Sequence, residues 1–428
     1  MKAPRPFTRR YTQDPLGWTA LIACGFALLC LHRITIPSAP YFDEVHYVPA
    51  ARALLDQSQW LNREHPLLGK ELIAAGIALF ADGPLGWRIF SIIAGAVTLF
   101  ALCRAMWFAS GSRFAVIAAG LLIAANFTLF VHSRIAMLDI FMVCFFAVAL
   151  WQLARATREP ETGRIRLAIA GIALGLAMAS KWNAAPLAVI PGVGFLIIRA
   201  RAGRRRLLRS RRGAPLPGMT LLEAGLWLGI VPLIVYWLTY LPAYFFAKGA
   251  LEPGGIISLH REIISLQKSV VEPHPYQSNW ADWILNIRAI WYLYEPIDGA
   301  QRGILLIGNP LTMLLGLPAM VWAGWAGLMK GRKDALAVFV FYAASVTFWM
   351  AADKPVQFYY HYFLPSCLLM AGLALALDEL WRRAVRWTPI IVLAASGAIF
   401  GWFYPILSAG ALSAPGSFAD WMWLDSWR

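Results

Sequence analysis

Long apolar runs separated by short polar stretches dominate the chain. Runs near 16–36, 86–106, 114–132, 135–154, 166–181, 184–199, 219–246, 303–328, 335–352, 358–378 and 388–408 approach the roughly 20 residues that an apolar helix needs to cross a bilayer. They predict an all-α polytopic membrane protein, a bundle of about 11 transmembrane helices. Several runs are short, and 166–199 reads either as one broken helix or as two. The run Leu67–Phe80 is too short to span with ease and predicts a re-entrant or interfacial helix. Two long segments join crossings, 37–85 and 247–302. The second is rich in Trp, Tyr, Pro and His, the composition of a folded loop rather than a flexible linker. The chain therefore divides into an N-terminal transmembrane region, 1–246, carrying the first loop; a large loop, 247–302; and a C-terminal transmembrane region, 303–428.

Composition agrees with this pattern. Of 428 residues, 59% are hydrophobic and 14% charged, with a mean hydropathy of +0.59. Soluble domains carry about 25% charged residues. A disordered chain, a collagen-like chain and an ordinary soluble enzyme are all excluded. Many of the 20 Trp fall near expected membrane interfaces, where amphipathic rings settle. Five cysteines lie in apolar runs with no CxxC pair, so they read as small buried hydrophobes rather than a zinc site or disulfide framework.

The net charge of +15 changes meaning once it is placed on a topology. With Lys2, Arg5, Arg9 and Arg10 in the cytoplasm, the cytoplasmic segments hold 24 of the 38 Lys and Arg but only 7 of the 23 acids, a net of +17. The opposite face nets −2. This asymmetry is the positive-inside pattern of a multi-pass protein of the cytoplasmic membrane. The eight arginines of Arg199–Arg212 then read as an anchor on anionic lipid, not a nucleic-acid patch. No cleavable signal peptide is expected, and neither a fixed-period repeat nor the inverted repeat of many transporters is visible.

The unusual polar residues gather on the outer face. Asp43 and Glu44 follow the first crossing. Asp43 is placed to cap a helix running to about Asp56, with Val45, Val48 and Leu55 on a common apolar face. A carboxylate near lipid has a raised pKa, which makes it a better general base. Arg63, His65 and Lys70 cluster at the start of the Leu67–Phe80 run, with Pro66 at the expected first helical position. Cations at a helix N-terminus suit a phosphate. Asp139 falls inside an apolar run, where an acid costs roughly 2.5–3.5 kcal/mol and needs a partner. Arg134 is a candidate, either structural or free to grip a phosphate in bidentate fashion. Lys181 is either a snorkelling side chain or a further phosphate contact. The segments around Tyr292 and Tyr294 and around His361 add aromatic surface that suits membrane belts, sugars or an isoprenoid chain. Adjacent acids, clustered cations and rings beside lipid suit group transfer from an anionic lipid.

These motifs resemble the protein O-mannosyltransferases, within the polyprenyl-phosphate-dependent GT-C glycosyltransferases. The likeness rests on Phe42-Asp43-Glu44-Val45-His46-Tyr47, then His65-Pro66-Leu67-Leu68-Gly69-Lys70, Gly86-Trp87-Arg88 and Arg134-Ile135-Ala136-Met137-Leu138-Asp139. Gly308-Asn309-Pro310 and Tyr360-His361-Tyr362-Phe363-Leu364-Pro365 follow in order. It implies a GT-C-like bundle with outward-facing loop helices, polyprenyl-phosphate mannose as donor, and Ser or Thr hydroxyls of a secreted or membrane protein as acceptor. It makes Asp43 the catalytic base and Glu44 its essential neighbour. Arg134 binds the donor phosphate with help from His65 or Lys70, and Arg88, Asp139, Lys181 and His361 are supporting residues. Leu67 departs from the pattern, standing where a second proline is usual. The large loop has no room for the β-trefoil (MIR) domain of eukaryotic members, so a bacterial-type enzyme is expected.

The implied reaction inverts the anomeric centre in one displacement, on the outer face, with the lipid phosphate as leaving group. No nucleotide is needed, because the lipid phosphate is the leaving group; the lipid-linked sugar is a substrate rather than a cofactor, no nucleic acid is a partner, and no HExxH-type metal spacing is present. Some lipid-linked GT-C enzymes use a divalent cation, so the metal stays open. Two rivals are kept: the same chemistry on a lipid or glycan acceptor such as lipid A, and a transporter of lipid-linked sugar.

Overall fold

The computed structural model describes residues 14–202, 207–211, 213–269 and 271–428. Lys2, Arg5, Arg9 and Arg10, and Arg204, Arg205, Arg206 and Arg212 of the basic run, lie outside the described residues. The chain enters through α1 (Leu16–Leu31) and continues in α2 (Glu44–Leu55) and α3 (Leu68–Phe80). Next come α4 (Pro84–Ser110), α5 (Arg113–Ala124), the short α6 (Phe127–His132), α7 (Leu138–Arg158) and α8 (Gly163–Ser180). A broken span, α9 (Trp182–Arg201), and α10 (Leu221–Leu238) follow. The large loop holds α11 (Ile256–Ser269), α12 (Trp280–Ile284) and the strands β1 (Ile290–Ile297) and β2 (Ala300–Leu306). The helices α13 (Pro310–Lys330), α14 (Lys333–Ala351), α15 (Phe363–Arg382) and α16 (Trp387–Leu407) complete the bundle.

Among the described residues, nine helices are long and apolar enough to cross a membrane. The other two expected crossings fall on the shorter apolar helices α1 and α5. Local chemistry explains the breaks. α4 begins on Pro84 and ends at left-handed Gly111; the Ser112 hydroxyl then accepts the Ala115 N–H and starts α5. α15 is buried on every side from Phe363 to Leu375 and forms the centre of the bundle. α10 and α16 expose Leu233, Ile234, Trp237, Ile391 and Trp402, as lipid-facing helices do.

Three expectations are corrected. The crossing expected at 303–328 begins at Pro310, because Ile304 and Leu305 belong to β2, paired antiparallel with β1 around the Asp298-Gly299 turn. Both turn residues have positive φ, as a tight hairpin requires. Among the described residues, an otherwise helical protein thus carries one two-stranded sheet. In α2 the buried face is Tyr47, Val48, Ala51 and Leu54; Val45 and Leu55 are exposed. Pro66 lies two residues before α3 rather than at its first position.

The two long loop segments, 37–85 and 247–302, are tied tightly to the bundle. A side chain at Gly76 would collide with the Gly86 carbonyl, so α3 and α4 approach at van der Waals distance only because both residues are glycine. Asp82 in the turn between them accepts hydrogen bonds from Arg52 of α2 and the Trp87 indole of α4. Asp298 at the hairpin tip accepts the Ser38 N–H at 2.8 Å, joining the two segments.

Candidate active site

Asp43 and Glu44 are adjacent in sequence but occupy opposite environments. Glu44 is fully buried. Its two oxygens accept Arg88 Nε and Nη2, each at 2.8 Å, in a fork-to-fork pair. The Ala136 N–H adds a bond at 2.8 Å and the Tyr41 N–H one at 3.3 Å. Arg88 also donates to the carbonyls of Ile34, Pro37 and Ala39. The pair therefore ties α4 to the first loop, to α2 and to the turn before α7.

Asp43 is only half-buried and accepts a single weak bond, from the Tyr47 hydroxyl at 3.3 Å. It stands at the N-terminus of α2, yet its side chain does not cap the helix; its backbone carbonyl accepts the His46 and Tyr47 N–H groups instead. The preceding Phe42 has φ of +50°, a conformation unusual for a non-glycine residue. Its ring stacks on Tyr292 of β1 at 3.9 Å, which holds that turn and brings the hairpin beside Asp43. Burial raises the Asp43 pKa above the ordinary carboxylate value; Lys181 and His46 pull it down and Asp139 pushes it up.

Lys181 and Asp139 form an ion pair at 2.6 Å, 7% and 1% exposed respectively. The Lys181 ammonium also lies 4.9 Å from the centre of the Tyr360 ring. Asp139 Oδ1 is buried and has no hydrogen-bond partner among the described residues. Asp139 thus takes its partner from the end of α8, not from Arg134. Arg134 lies in the turn before α7, and its guanidinium donates to the carbonyls of Cys30, His32, Arg33 and Ser408 at 2.5–3.5 Å. It closes the C-terminal end of α1, whose last carbonyls lack helical partners.

Lys70, the third residue of α3, donates to the carbonyls of Asn62 at 2.5 Å and His65 at 3.0 Å and clamps the loop that presents His65. Burial lowers its pKa to about 7. The His65 ring meets Tyr47 edge-on at 5.9 Å. Burial, then the charges of Lys181, Lys70, Lys354 and His46, hold it well below the usual histidine value, so it is neutral at pH 7 rather than a cation. His361 is buried between Trp349 and Trp283 and accepts the Phe358 N–H at 3.0 Å on Nδ1.

The structure gives contacts to residues that the sequence marked only as aromatic surface or as part of a motif, and it adds Lys354. Tyr292 bridges Phe42 and His132, its hydroxyl 3.1 Å from His132 Nε2. Tyr47 bonds Asp43, and Lys354 shares the charge environment of Asp43, Asp139 and Lys181. A tyrosine or lysine in an outer loop looks like any interface residue until the fold places it. Among the described residues no group of three or more His, Cys, Asp or Glu is placed to hold a metal ion. Below the recess, α3, α4, α7 and α8 enclose an apolar groove of ≈ 320 Å³ lined by Leu72, Phe90, Phe141, Phe145 and Leu176 among others. Leu72 and Phe141 follow Lys70 and Asp139 by two residues each, so two of the helices that line the groove also carry members of the polar cluster.

Residues 64–239 match the model of the dolichyl-phosphate-mannose-protein mannosyltransferase family. A polyprenol-phosphate-mannose–protein mannosyltransferase of Mycolicibacterium smegmatis is 29% identical across 96% of this chain and 93% of its own. The enzyme of the same description from Corynebacterium glutamicum is 29% identical, covering 99% and 96%. Among solved structures, the Saccharomyces cerevisiae protein O-mannosyltransferase Pmt1-Pmt2 complex bound to the sugar donor shares the fold. Its TM-score is 0.79, at 14% identity, over 97% of this chain and 93% of that one. The family model over residues 64–239, the relatives matched over nearly the whole chain and the shared fold agree: the chain is similar to the membrane-embedded protein O-mannosyltransferases.

Proposed function

We propose that the protein transfers mannose from polyprenyl-phosphate mannose to Ser or Thr hydroxyls of proteins on the outer face of the cytoplasmic membrane, with inversion. The observation that carries this reading is the contrast between the two adjacent acids: Glu44 is saturated by Arg88, while Asp43 keeps free lone pairs beside the Lys181–Asp139 pair. A raised pKa suits Asp43 to general-base work.

In this reading the donor's isoprenoid tail occupies the apolar groove and its phosphate lies among the cations above it. Asp43 takes the proton of the acceptor hydroxyl as that oxygen bonds to the anomeric carbon. The bond from that carbon to the phosphate oxygen breaks on the opposite face, and polyprenyl phosphate leaves. Oxocarbenium character in the transition state parallels glycoside hydrolysis. His65, neutral and facing the recess, offers a hydrogen bond to the phosphate. Arg134 and Lys70 act through the backbone, fixing the loops that carry His65 and Asp43. The recess gathers Asp43, Asp139 and Lys181 from the first half of the chain, Tyr292 from the large loop and Tyr360 from the C-terminal part. The charge asymmetry of the loops supports an outward-facing site and a cytoplasmic N-terminus.

The test uses purified protein in detergent, polyprenyl phosphate carrying radiolabelled mannose, and a membrane extract as acceptor. Label is expected in the protein fraction with the wild type and absent with Asp43→Asn, which still folds and binds donor. Normal turnover by the variant rejects Asp43 as the base; label in lipid or glycan changes the acceptor.

A further inference from the structure

The cations around the recess differ in what already occupies them. Lys181 is paired with Asp139, Lys70 is bonded to two carbonyls, and Arg63 is paired with Glu262 at 3.4 Å. Lys354 differs. Among the described residues its ammonium has one hydrogen bond, to the neutral side-chain oxygen of Gln267 at 3.1 Å, and no carboxylate within ion-pair distance. The neighbouring acid, Asp353, is taken by Lys268 at 2.6 Å.

The loop that carries Lys354 is held on several sides. Gln357 Nε2 donates to the Lys354 carbonyl at 3.3 Å, and Gln277 donates to the Pro355 carbonyl at 3.0 Å. The Ser278 N–H donates to the Gln357 carbonyl at 2.9 Å. Gln267 in turn donates to the Glu64 carbonyl at 3.2 Å, next to His65. One glutamine of α11 therefore links Lys354 to the loop that presents His65. The backbone is fixed while the ammonium keeps only a weak, exchangeable neutral partner. The Lys354 charge lies within electrostatic range of Lys181, Asp139 and Asp43, and of His65 and His361.

We propose that Lys354 is a phosphate-binding residue for the lipid-linked donor: its ammonium exchanges the Gln267 side chain for a phosphate oxygen and, with Lys181, flanks the leaving group. This rests on the reading of the recess as the donor site. A second ammonium there suits a leaving phosphate that gains negative charge as the glycosidic bond breaks. Burial and the nearby Lys181 lower the Lys354 pKa to about 8, so the site loses this charge at alkaline pH unless an anion is bound.

The experiment compares wild type, Lys354→Met and Lys354→Arg in two assays. In the first, polyprenyl phosphate without sugar is added and the thermal midpoint of the detergent-purified protein is followed; this needs no knowledge of the sugar. The wild type and Lys354→Arg are expected to shift upward, and Lys354→Met to shift little. In the second, mannosyl transfer is followed against pH. Lys354→Met is expected to raise the donor KM about tenfold or more with the acceptor KM unchanged, the usual scale for losing one charge-assisted hydrogen bond. Wild-type kcat/KM for donor falls as pH rises through about 8, and Lys354→Arg removes that fall. A Met variant that binds polyprenyl phosphate as the wild type does, or an alkaline limb that persists in Lys354→Arg, overturns the proposal. A wild type that binds polyprenyl phosphate but transfers no mannose leaves Lys354 in place and removes the functional reading instead.

Discussion

Asp43 and Glu44 differ by one methylene, and their surroundings separate their roles. Four hydrogen bonds saturate Glu44, whereas Asp43 has one weak bond and a raised pKa. A base with a raised pKa is protonated, and idle, below that pKa. The acid limb of kcat/KM is therefore expected above the normal carboxylate range. Lys181 opposes the shift, so Lys181→Met should move the limb to still higher pH, measured by transfer rates across pH 4–8 in wild type and variant. An unmoved limb would mean that another group titrates. The sequence shows both acids and Lys181; it does not show which acid is free, because that depends on Arg88, 44 positions away.

Between elements, the Arg88–Glu44 pair is a strut joining α4, α2 and the turn before α7. Removing one partner of a buried pair leaves an unpaired charge and typically costs about 3–5 kcal/mol. Arg88→Met should therefore lower thermal stability in detergent sharply and reduce folded yield, with residual activity tracking the amount of folded protein. Full stability with lost turnover would assign the pair a direct chemical part. The sequence shows Arg88 near the start of an apolar run, and the family resemblance marks it as a supporting residue. Its partner was not legible, since helix periodicity reports faces and not which residues meet across a loop. The same limit explains Asp139: five residues separate it from Arg134, but the turn before α7 sends the Arg134 side chain to the end of α1, while α8 delivers Lys181.

Across the whole molecule, the proposed topology puts the large loop outside and the 329–334 turn inside. In intact cells, a membrane-impermeant maleimide is expected to label Glu252→Cys and to spare Arg332→Cys until the membrane is opened. Labelling in the opposite order would invert the topology. The native cysteines interfere little, since Cys30, Cys103, Cys144 and Cys367 are buried and Cys24 lies midway along the apolar α1. The short α5 and the broken α9 show why helix ends were harder to place than helices. Ser, Asn and Pro breaks let the chain stop and restart inside one apolar run, and hydropathy averages over them.

Hydropathy and charge alone determined that the chain is a multi-helical membrane protein, where its helices lie, and which polar residues cannot be accidental. Desolvation makes that possible: an apolar run of spanning length has few alternatives to a membrane helix, and a buried charge must find a partner. The identity of that partner was decided by tertiary structure. So was the β-hairpin, whose apolar strand Ile304–Leu306 merges in sequence with the helix that follows. Tertiary structure alone also brought Lys354 within electrostatic range of Asp43, 311 positions away in the chain. Local sequence encodes burial and conformation over a few turns; convergence of side chains from six or more segments is set by how the helices pack.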